Sequence, residues 1–287
     1  MIWDLFLAPF ADFGFMRRAL LGCVAVAVGA TPVGVFLMLR RMSLTGDAMS
    51  HAILPGAAIG YLVSGLSLGA MTLGGLIAGM VVALGSGFVA RFTTLREDAS
   101  LAALYLISLA LGVLIVSTRG SNVDLMHVLF GTVLALDDAS LVLLCSFASL
   151  SLLVLALIYR PLVLECSDPQ FLRSVSKLSA ATHFTFLMLV VMNLVAGFHA
   201  LGTLMAVGIM ILPAAAARFW AGGIGTLIAA AAAIAFLSSL SGLLFSFHYS
   251  FPSGPALLLV AGVLFTLSLV FCPEGGVLAQ PRPHRRP

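Results

Sequence analysis

The sequence predicts an all-α, polytopic membrane protein with about 8–9 transmembrane helices and a short helix on the cytoplasmic side. Composition is the first observation behind this fold class. Of the 287 residues, 61% are apolar and only 9% are charged, whereas a soluble domain carries roughly 25% charged residues. The second observation is spacing, because the few charges are separated by uncharged runs that match the ~20 residues of a membrane-spanning helix. Most of the surface is therefore expected to face lipid.

The uncharged runs assign the individual spans. Those with the length of one span are residues 19–39, 99–118 and 139–159. Those with the length of two spans are residues 48–90, 178–217 and 219–273. At ~20 residues per crossing this gives about nine helices, with eight or ten as alternatives.

The positive residues set the predicted orientation, because cytoplasmic loops carry an excess of Arg and Lys. A cytoplasmic loop at 160–177 also places on the cytoplasmic side Arg40, Arg41, Arg91, Arg96, Arg218, Arg282, Arg285 and Arg286. Arg17 and Arg18 do not fit this pattern, so residues 1–18 are expected to form an amphipathic segment in the membrane interface. Residues 19–273 then form the transmembrane domain, and residues 274–287 a disordered cytoplasmic tail.

Several classes of chemistry are missing from the chain. Lys177 is the only lysine, and because Ser176 precedes it, no Gly-Lys-Ser/Thr phosphate-binding loop exists. The chain also has no His-Glu-x-x-His helix, the signature of zinc proteases. An enzyme is therefore not expected, and neither is a permanently bound cofactor.

An acid and a histidine stand out in the stretch GDAMSHAILPG, residues 46–56. Asp47 and His51 are four residues apart, so a helix presents both on one face. His51 lies ten residues after Arg41, or ~15 Å along a helix, which is about half of the hydrocarbon core. Ionisable residues at that depth are usually functional, although a purely structural hydrogen-bonded pair is the alternative. Their oxygen and nitrogen donors suit Zn²⁺ or Mn²⁺.

Prolines and glycines surround this pair. Pro55 removes the hydrogen bond to the carbonyl of His51, and Pro213 does the same for Ile209, so both are predicted to break their helices. Such breaks are tolerated where they face protein or a water-filled cavity. Gly56 and Gly60 form a Gly-x-x-x-Gly pair on the face away from Asp47, where a neighbouring helix is expected to pack closely.

A short amphipathic helix is predicted in the cytoplasmic loop. Asp168 precedes Pro169, and this order is typical of an N-cap followed by the first helical residue. Phe171 and Leu172 give the helix an apolar side, and Arg173 stands with Lys177 toward its C-terminal end. Such a helix suits insertion into the groove of a partner protein, while an ordinary interfacial connector is the alternative.

Other histidines carry weaker signals. Asp124 and His127 are three residues apart in the predicted extracytoplasmic segment 117–138, where they are either an entry site for an ion or a solvated pair. His183, near the start of the sixth span, is expected to be packed or hydrogen-bonded and not a metal ligand.

At the level of whole motifs, LRRMSLTGDAMSHAILPG resembles the signature of the zinc and manganese permeases of ATP-binding-cassette importers, the ABC-3 family. Other stretches resemble this family in the same order: REDASLAALY at 96–105, VDLMHVLFG at 123–131, SDPQFLRSVS at 167–176, GTLMAVGIMILPAAAAR at 202–218 and FPSGP at 251–255. The first motif is specific and the others support it. One departure is Ser250, where the family often has an aspartate.

The resemblance implies a homodimeric permease of the bacterial inner membrane. Its implied partners are a cytoplasmic ATPase that binds ATP, an extracytoplasmic metal-binding protein and membrane lipid, with no nucleic acid. The implied function is import of a divalent transition metal by alternating access, with Asp47 and His51 lining the metal path. Zn²⁺ is slightly favoured over Mn²⁺, and iron is also open. The segment of about 165–177 is implied to be the coupling helix that docks on the ATPase.

Two rival functions follow from the same residues. In a proton-coupled secondary transporter of metal, Asp47 and His51 would form a proton relay, and no ATPase would be needed. An intramembrane metallohydrolase would need a third ligand and a general base, which no motif supplies.

Overall fold

The computed structural model describes residues 6–65, 67–118, 133–168, 171–172 and 178–272. Throughout these ranges the regular structure is helical, which confirms the predicted class. The helices are α1 (Ala8–Asp12), α2 (Gly14–Leu39), α3 (Ser43–Ala52), α4 (Leu54–Ser64), α5 (Leu68–Phe92), α6 (Glu97–Thr118), α7 (Asp138–Ser167), α8 (Leu178–Leu201), α9 (Thr203–Ala217), α10 (Ile224–Tyr249) and α11 (Ser253–Phe271), and a 3-10 turn, Val133–Ala135, precedes α7.

Among the described residues, seven helices are long and apolar enough to cross a bilayer: α2, α5, α6, α7, α8, α10 and α11. Two further segments are shorter. The broken pair α3 and α4 together extends ~33 Å, about one full crossing. Helix α9, with 15 residues, reaches only ~22 Å. The predicted count of about 8–9 crossings therefore corresponds to seven long helices, one broken crossing and one short helix.

The structure has a helix break at one of the two prolines where the sequence predicted one, and none at the other. Beside Pro55 the helix is interrupted, because α3 ends at Ala52 and α4 begins at Leu54. At Pro213 the prediction is wrong, since α9 runs through it. Proline's φ of about −65° fits a helix, so the bundle tolerates the loss of one hydrogen bond there. The interruption lies instead at Gly202, whose φ of 82° separates α8 from α9 and is readily adopted only by glycine.

Two helix boundaries also differ from the predicted spans. Helix α2 begins at Gly14 and not at 19, so Arg17 and Arg18 belong to its N-terminal turns. Helix α7 has 30 residues and ends at Ser167, well beyond the predicted end at 159. At 1.5 Å per residue it is ~45 Å long and extends past a ~30 Å hydrocarbon core. Residues 165–167 therefore belong to α7, and of the rest of the predicted coupling segment the structure describes only Asp168, Phe171 and Leu172.

Helix α2 is the centre of the bundle and has the largest buried share of the seven long helices. Small residues let its neighbours approach. A Cβ on Gly29 would lie 2.9 Å from the Cα of Ala148 on α7, and one on Gly34 would overlap the carbonyl group of Met210 on α9. Close backbone contact of this kind is how helices associate in lipid, where a hydrophobic driving force between them is absent.

The turn from α2 into α3 has a defined geometry. The N–H of Met42 donates to the carbonyl of Leu37 at 2.8 Å, and the N–H of Arg41 donates to the carbonyl of Met38 at 3.0 Å. These two bonds form a Schellman motif, with Arg41 in the left-handed position usually taken by glycine. Its φ is 59°, a conformation that costs a non-glycine residue about 1–2 kcal/mol. The entry to α3 is therefore a strained but fully hydrogen-bonded turn.

The arginine that contradicts the positive-inside pattern has an acidic partner. Arg18 Nη1 lies 3.1 Å from Asp138 Oδ1 at the start of α7, on the side opposite to the cytoplasmic loops. Asp137 caps the same helix by accepting a hydrogen bond from the N–H of Ser140 at 2.9 Å. Hydrogen bonds from Ser140 hold the pKa of Asp137 below its usual value. Arg18 thus lies in a charge-balanced cluster where α2 and α7 begin, at the ends that the predicted orientation places outside the cytoplasm.

The orientation predicts opposite accessibility for two exposed residues. Thr94 lies in the loop between α5 and α6, and Ser250 follows α10. In a background with the exposed Cys145 changed to Ser, a membrane-impermeant maleimide should label Ser250→Cys in intact cells. It should label Thr94→Cys only in inverted vesicles. Labelling of both cysteines from one side would contradict the topology.

The contact between α4 and α5 predicts a cost for Gly56→Ala. A Cβ there would overlap the carbonyl of Gly74, and one at Gly60 would overlap the carbonyl of Ala70. Overpacking of this kind costs about 1–3 kcal/mol, so the unfolding midpoint in detergent should fall. The matched control is Gly69→Ala on α5, because a Cβ at Gly69 meets nothing within 4 Å. Equal midpoints for the two variants would contradict the close packing.

Candidate metal site

Asp47 and His51 lie on one face of α3. Asp47 Oδ1 is 3.9 Å from His51 Nε2, which is too long for a hydrogen bond. Two donors that share a tetrahedral metal ion at about 2.0–2.2 Å are roughly 3.4 Å apart. A small side-chain rotation would therefore allow both atoms to bind one ion.

The face that carries this pair is left uncovered by the described part of the chain. The side chain of Asp47 is 66% exposed and that of His51 is 32% exposed. Leu44, one turn before Asp47, is 83% exposed. A carboxylate that faces hydrocarbon is costly, so ionisable side chains at membrane depth face a bundle interior or a water-filled cavity. The exposed face of α3 thus lines an aqueous path, a contact with another chain, or both.

Residues of α6 contact the helix break that follows Asp47 and His51. Ser108 Oγ donates a 2.9 Å hydrogen bond to the carbonyl of Ala52, the last residue of α3. The ring of Tyr105 lies 6.5 Å from that of His51. At Gly112 a Cβ would come within 3.1 Å of Pro55 N, so the missing side chain makes room for the proline. Sequence reasoning did not identify Ser108 or Tyr105, although both are polar groups in an otherwise apolar span and are three residues apart.

A single copy of the chain supplies only part of a metal site. Within the described ranges, no group of three or more His, Cys, Asp or Glu side chains is arranged to hold a metal ion. Zinc sites with fewer than three protein ligands are unusual. Asp124 and His127, the predicted entry pair, lie outside the described residues.

The predicted coupling segment is described only in part. The N–H of Phe171 donates to Asp168 Oδ1 at 2.9 Å, which is the N-cap geometry expected from the sequence. Phe171 is 53% exposed, but Leu172 is buried. The prediction that both side chains form an exposed apolar side is therefore wrong for Leu172, which packs inward. Pro169 and Arg173 lie outside the described residues.

A group of charged residues that the sequence reasoning did not bring together lies between the helix ends on the cytoplasmic side. Arg40 Nη2 is 3.3 Å from Glu165 Oε1 and 2.6 Å from His183 Nδ1. His183 Nε2 is in turn 2.8 Å from Glu97 Oε1. His183 is thus a hydrogen-bonded histidine, as expected from its sequence position. The four residues are distant in sequence, so only the tertiary fold brings them together.

A bundle of apolar helices long enough to cross a membrane, with an acid and a histidine on one face of a broken helix, is the arrangement expected of a permease. The chain belongs to the ABC 3 transport family, whose model matches residues 12–272. It is therefore a multi-pass bacterial membrane protein and the permease of a metal importer driven by an ATP-binding-cassette system. This assignment does not favour the proton-coupled alternative.

Individual relatives cover almost the whole chain. The Manganese transport system membrane protein MntC of Halalkalibacterium halodurans is 33% identical over 270 residues, which cover 94% of this chain and 91% of that protein. The Manganese import system permease protein ScaB of Streptococcus parasanguinis is 29% identical, with 94% and 95% coverage. A solved structure, PsaBC from Streptococcus pneumoniae in complex with Fab, matches with a TM-score of 0.83 and 26% identity over 96% of this chain and 97% of that one.

Proposed function

We propose that this permease moves a divalent transition metal inward along the exposed face of α3, and that Asp47 and His51 contact the ion in passing. The observation that carries the proposal is an exposed carboxylate, 3.9 Å from a histidine nitrogen, on a helix that breaks beside Pro55 within the membrane. Two ligands hold an ion weakly, and a conducting site must release its ion as readily as it binds it.

Manganese is the cargo that we now place first. The relatives reported above carry manganese in their names, and the zinc preference of the sequence analysis rests on no discriminating residue. Carboxylate oxygen is a good ligand for Mn²⁺, and imidazole binds both metals. Zn²⁺ remains the comparison ion in every assay below.

A second copy of the chain would complete the site. A two-fold axis repeats every residue, so two α3 faces that meet would bring together two carboxylates and two imidazoles. Four protein ligands are enough for a tetrahedral ion and leave two positions for water around a six-coordinate one. The same contact would cover Leu44, which is 83% exposed in the single chain.

A cytoplasmic ATPase that docks at Asp168 and Phe171 would hydrolyse the ATP that drives transport. A separate extracytoplasmic protein would deliver the metal. The chain has no phosphate-binding loop of its own, so the nucleotide must bind to another subunit. Phe171 is exposed, and its backbone N–H donates the N-cap hydrogen bond to Asp168. Helix α7, which ends beside it, would carry the movement toward the membrane.

The metal proposal predicts steep losses for His51→Ala and Asp47→Asn. His51→Ala removes the nitrogen ligand, and Asp47→Asn keeps the shape but removes the charge that attracts a dication. Each change should lower Mn²⁺ uptake by roughly tenfold or more, the effect of losing one interaction with a charged group, about 1.4 kcal/mol. The measurement is Mn²⁺ and Zn²⁺ uptake, with ATP hydrolysis, by the purified complex in liposomes.

Asp98→Asn is the matched charge control for these two variants. Asp98 is an exposed carboxylate in the first turn of α6, so its substitution should leave uptake near the wild-type level. Normal uptake of both metals by Asp47→Asn and His51→Ala, at normal protein levels, would show that α3 does not line the metal path. Uptake by the permease without an ATPase would instead support a secondary transporter.

The docking proposal predicts that Phe171→Asp uncouples the ATPase without unfolding the permease. The side chain is 53% exposed, so the charge disturbs only the partner's apolar groove, at a cost of a few kcal/mol. Co-purification of the ATPase and metal uptake should both fall. Phe171→Leu keeps an apolar contact and should behave nearly as the wild type does. Unimpaired co-purification and uptake by Phe171→Asp would remove this residue from the interface.

A further inference from the structure

The charged cluster at the cytoplasmic helix ends joins four separate helices. Arg40 ends α2, Glu165 lies in the last turn of α7, His183 is on α8 and Glu97 begins α6. The side chains of Arg40 and Glu165 are only 10% and 5% exposed. Arg40 also stacks over the ring of Phe186, with its guanidinium carbon 5.1 Å from the ring centroid. The cluster is thus an internal contact and not a solvated surface pair.

His183 contacts a charged side chain through each of its two ring nitrogens. Arginine can only donate, so Nδ1, at 2.6 Å from Arg40 Nη2, is the acceptor. On the other side of the ring, Nε2 lies 2.8 Å from Glu97 Oε1. His183 therefore stands between Arg40 and Glu97, and the connection between these two residues depends on its side chain.

The cluster connects the two parts of the proposed mechanism. Glu165 lies three residues before Asp168, the cap of the coupling segment, and Arg40 lies next to Arg41, the strained residue before α3. A shift of the end of α7 would move Glu165 relative to Arg40. Because the turn at Arg41 follows directly, such a shift reaches the helix that carries Asp47 and His51.

The bonding within the cluster is incomplete. Arg40 Nη1 and Glu165 Oε2 are buried but have no hydrogen-bond partner among the described residues. A fully satisfied buried network rigidifies a protein, whereas a partly satisfied one gives up less when it rearranges. This arrangement suits a contact that opens and closes during the transport cycle.

We propose that Arg40 and His183 are positioning residues that couple the end of α7 to the metal-bearing helix α3. The link keeps ATP hydrolysis dependent on metal movement, and without it the partner ATPase would hydrolyse ATP without moving ions. This inference rests on the proposed function, because a coupling role requires a partner ATPase.

The experiment measures metal ions moved per ATP hydrolysed, with the permease, its ATPase and its metal-binding protein reconstituted in liposomes. His183→Gln can accept from Arg40 through its amide oxygen and donate to Glu97 through its amide nitrogen, so its ratio should stay within about twofold of the wild type. His183→Leu can do neither, and its ratio should fall roughly tenfold, the effect of one lost charge-assisted hydrogen bond on an equilibrium. A purely structural role would lower protein yield and both activities in proportion, without changing the ratio.

Two further variants keep the test decisive. Glu165→Gln preserves the side-chain volume while it removes the charge opposite Arg40, so it should also lower the ratio if His183→Leu fails to fold. Arg18→Gln breaks the exposed pair with Asp138 on the other side of the membrane and should leave the ratio unchanged. An unchanged ratio in both His183→Leu and Glu165→Gln, or equal losses in His183→Gln and His183→Leu, would overturn the proposal. A wild-type complex that moves no metal would contradict the proposed function instead.

Discussion

The constraint on which this structure depends is that hydrocarbon provides no hydrogen-bond partner for a polar group. Every regular segment is helical in the described ranges because helices satisfy their own backbone. Beside the break at Pro55, the carbonyl of His51 accepts from the N–H of Ile53, Ser108 on α6 donates to the carbonyl of Ala52, and Gly112 lets the two helices approach. Polar side chains that remain at membrane depth, such as Asp47, therefore require another explanation than fold stability, and metal passage provides one.

The ion pairs near the two membrane faces differ in their burial. On the extracytoplasmic side Arg18 and Asp138 form an exposed pair, and pairs of that kind contribute about 0–1 kcal/mol. On the cytoplasmic side Arg40 and Glu165 are buried together, and removing one partner of a buried pair costs about 3–5 kcal/mol. The stronger electrostatic connection is thus on the side where an ATPase would act. A movement applied there would have to pass through Arg40 before it reached α3.

Local patterns in the sequence made much of the fold and part of the candidate site predictable. Charge spacing located the long helices, the four-residue interval placed Asp47 and His51 on one face, and the Asp-Pro order identified the cap at Asp168. Features that depend on tertiary packing were not accessible from sequence. Leu172 is buried where the amphipathic pattern predicted exposure, and Pro213 lies inside a helix that its sequence predicted to break. The contact between Arg40 and His183 spans 143 residues of sequence, and no local periodicity encodes it.

The segment from Arg40 to His51 has an incompletely satisfied group of side chains at each of its two ends. Asp47 and His51 would form half of the proposed metal site, and the buried cluster around Arg40 leaves polar atoms without partners in the described chain. Between them the chain passes through Arg41 at a φ of 59°, a strained conformation of the kind that collects at functional sites. A bundle that switches between two arrangements needs contacts whose rearrangement changes the free energy by only a few kcal/mol, so that a partner can shift the equilibrium. The region from Arg40 to His51 meets that requirement, while the tightly packed α2, α7 and α9 around it provide the rigid frame against which it can move.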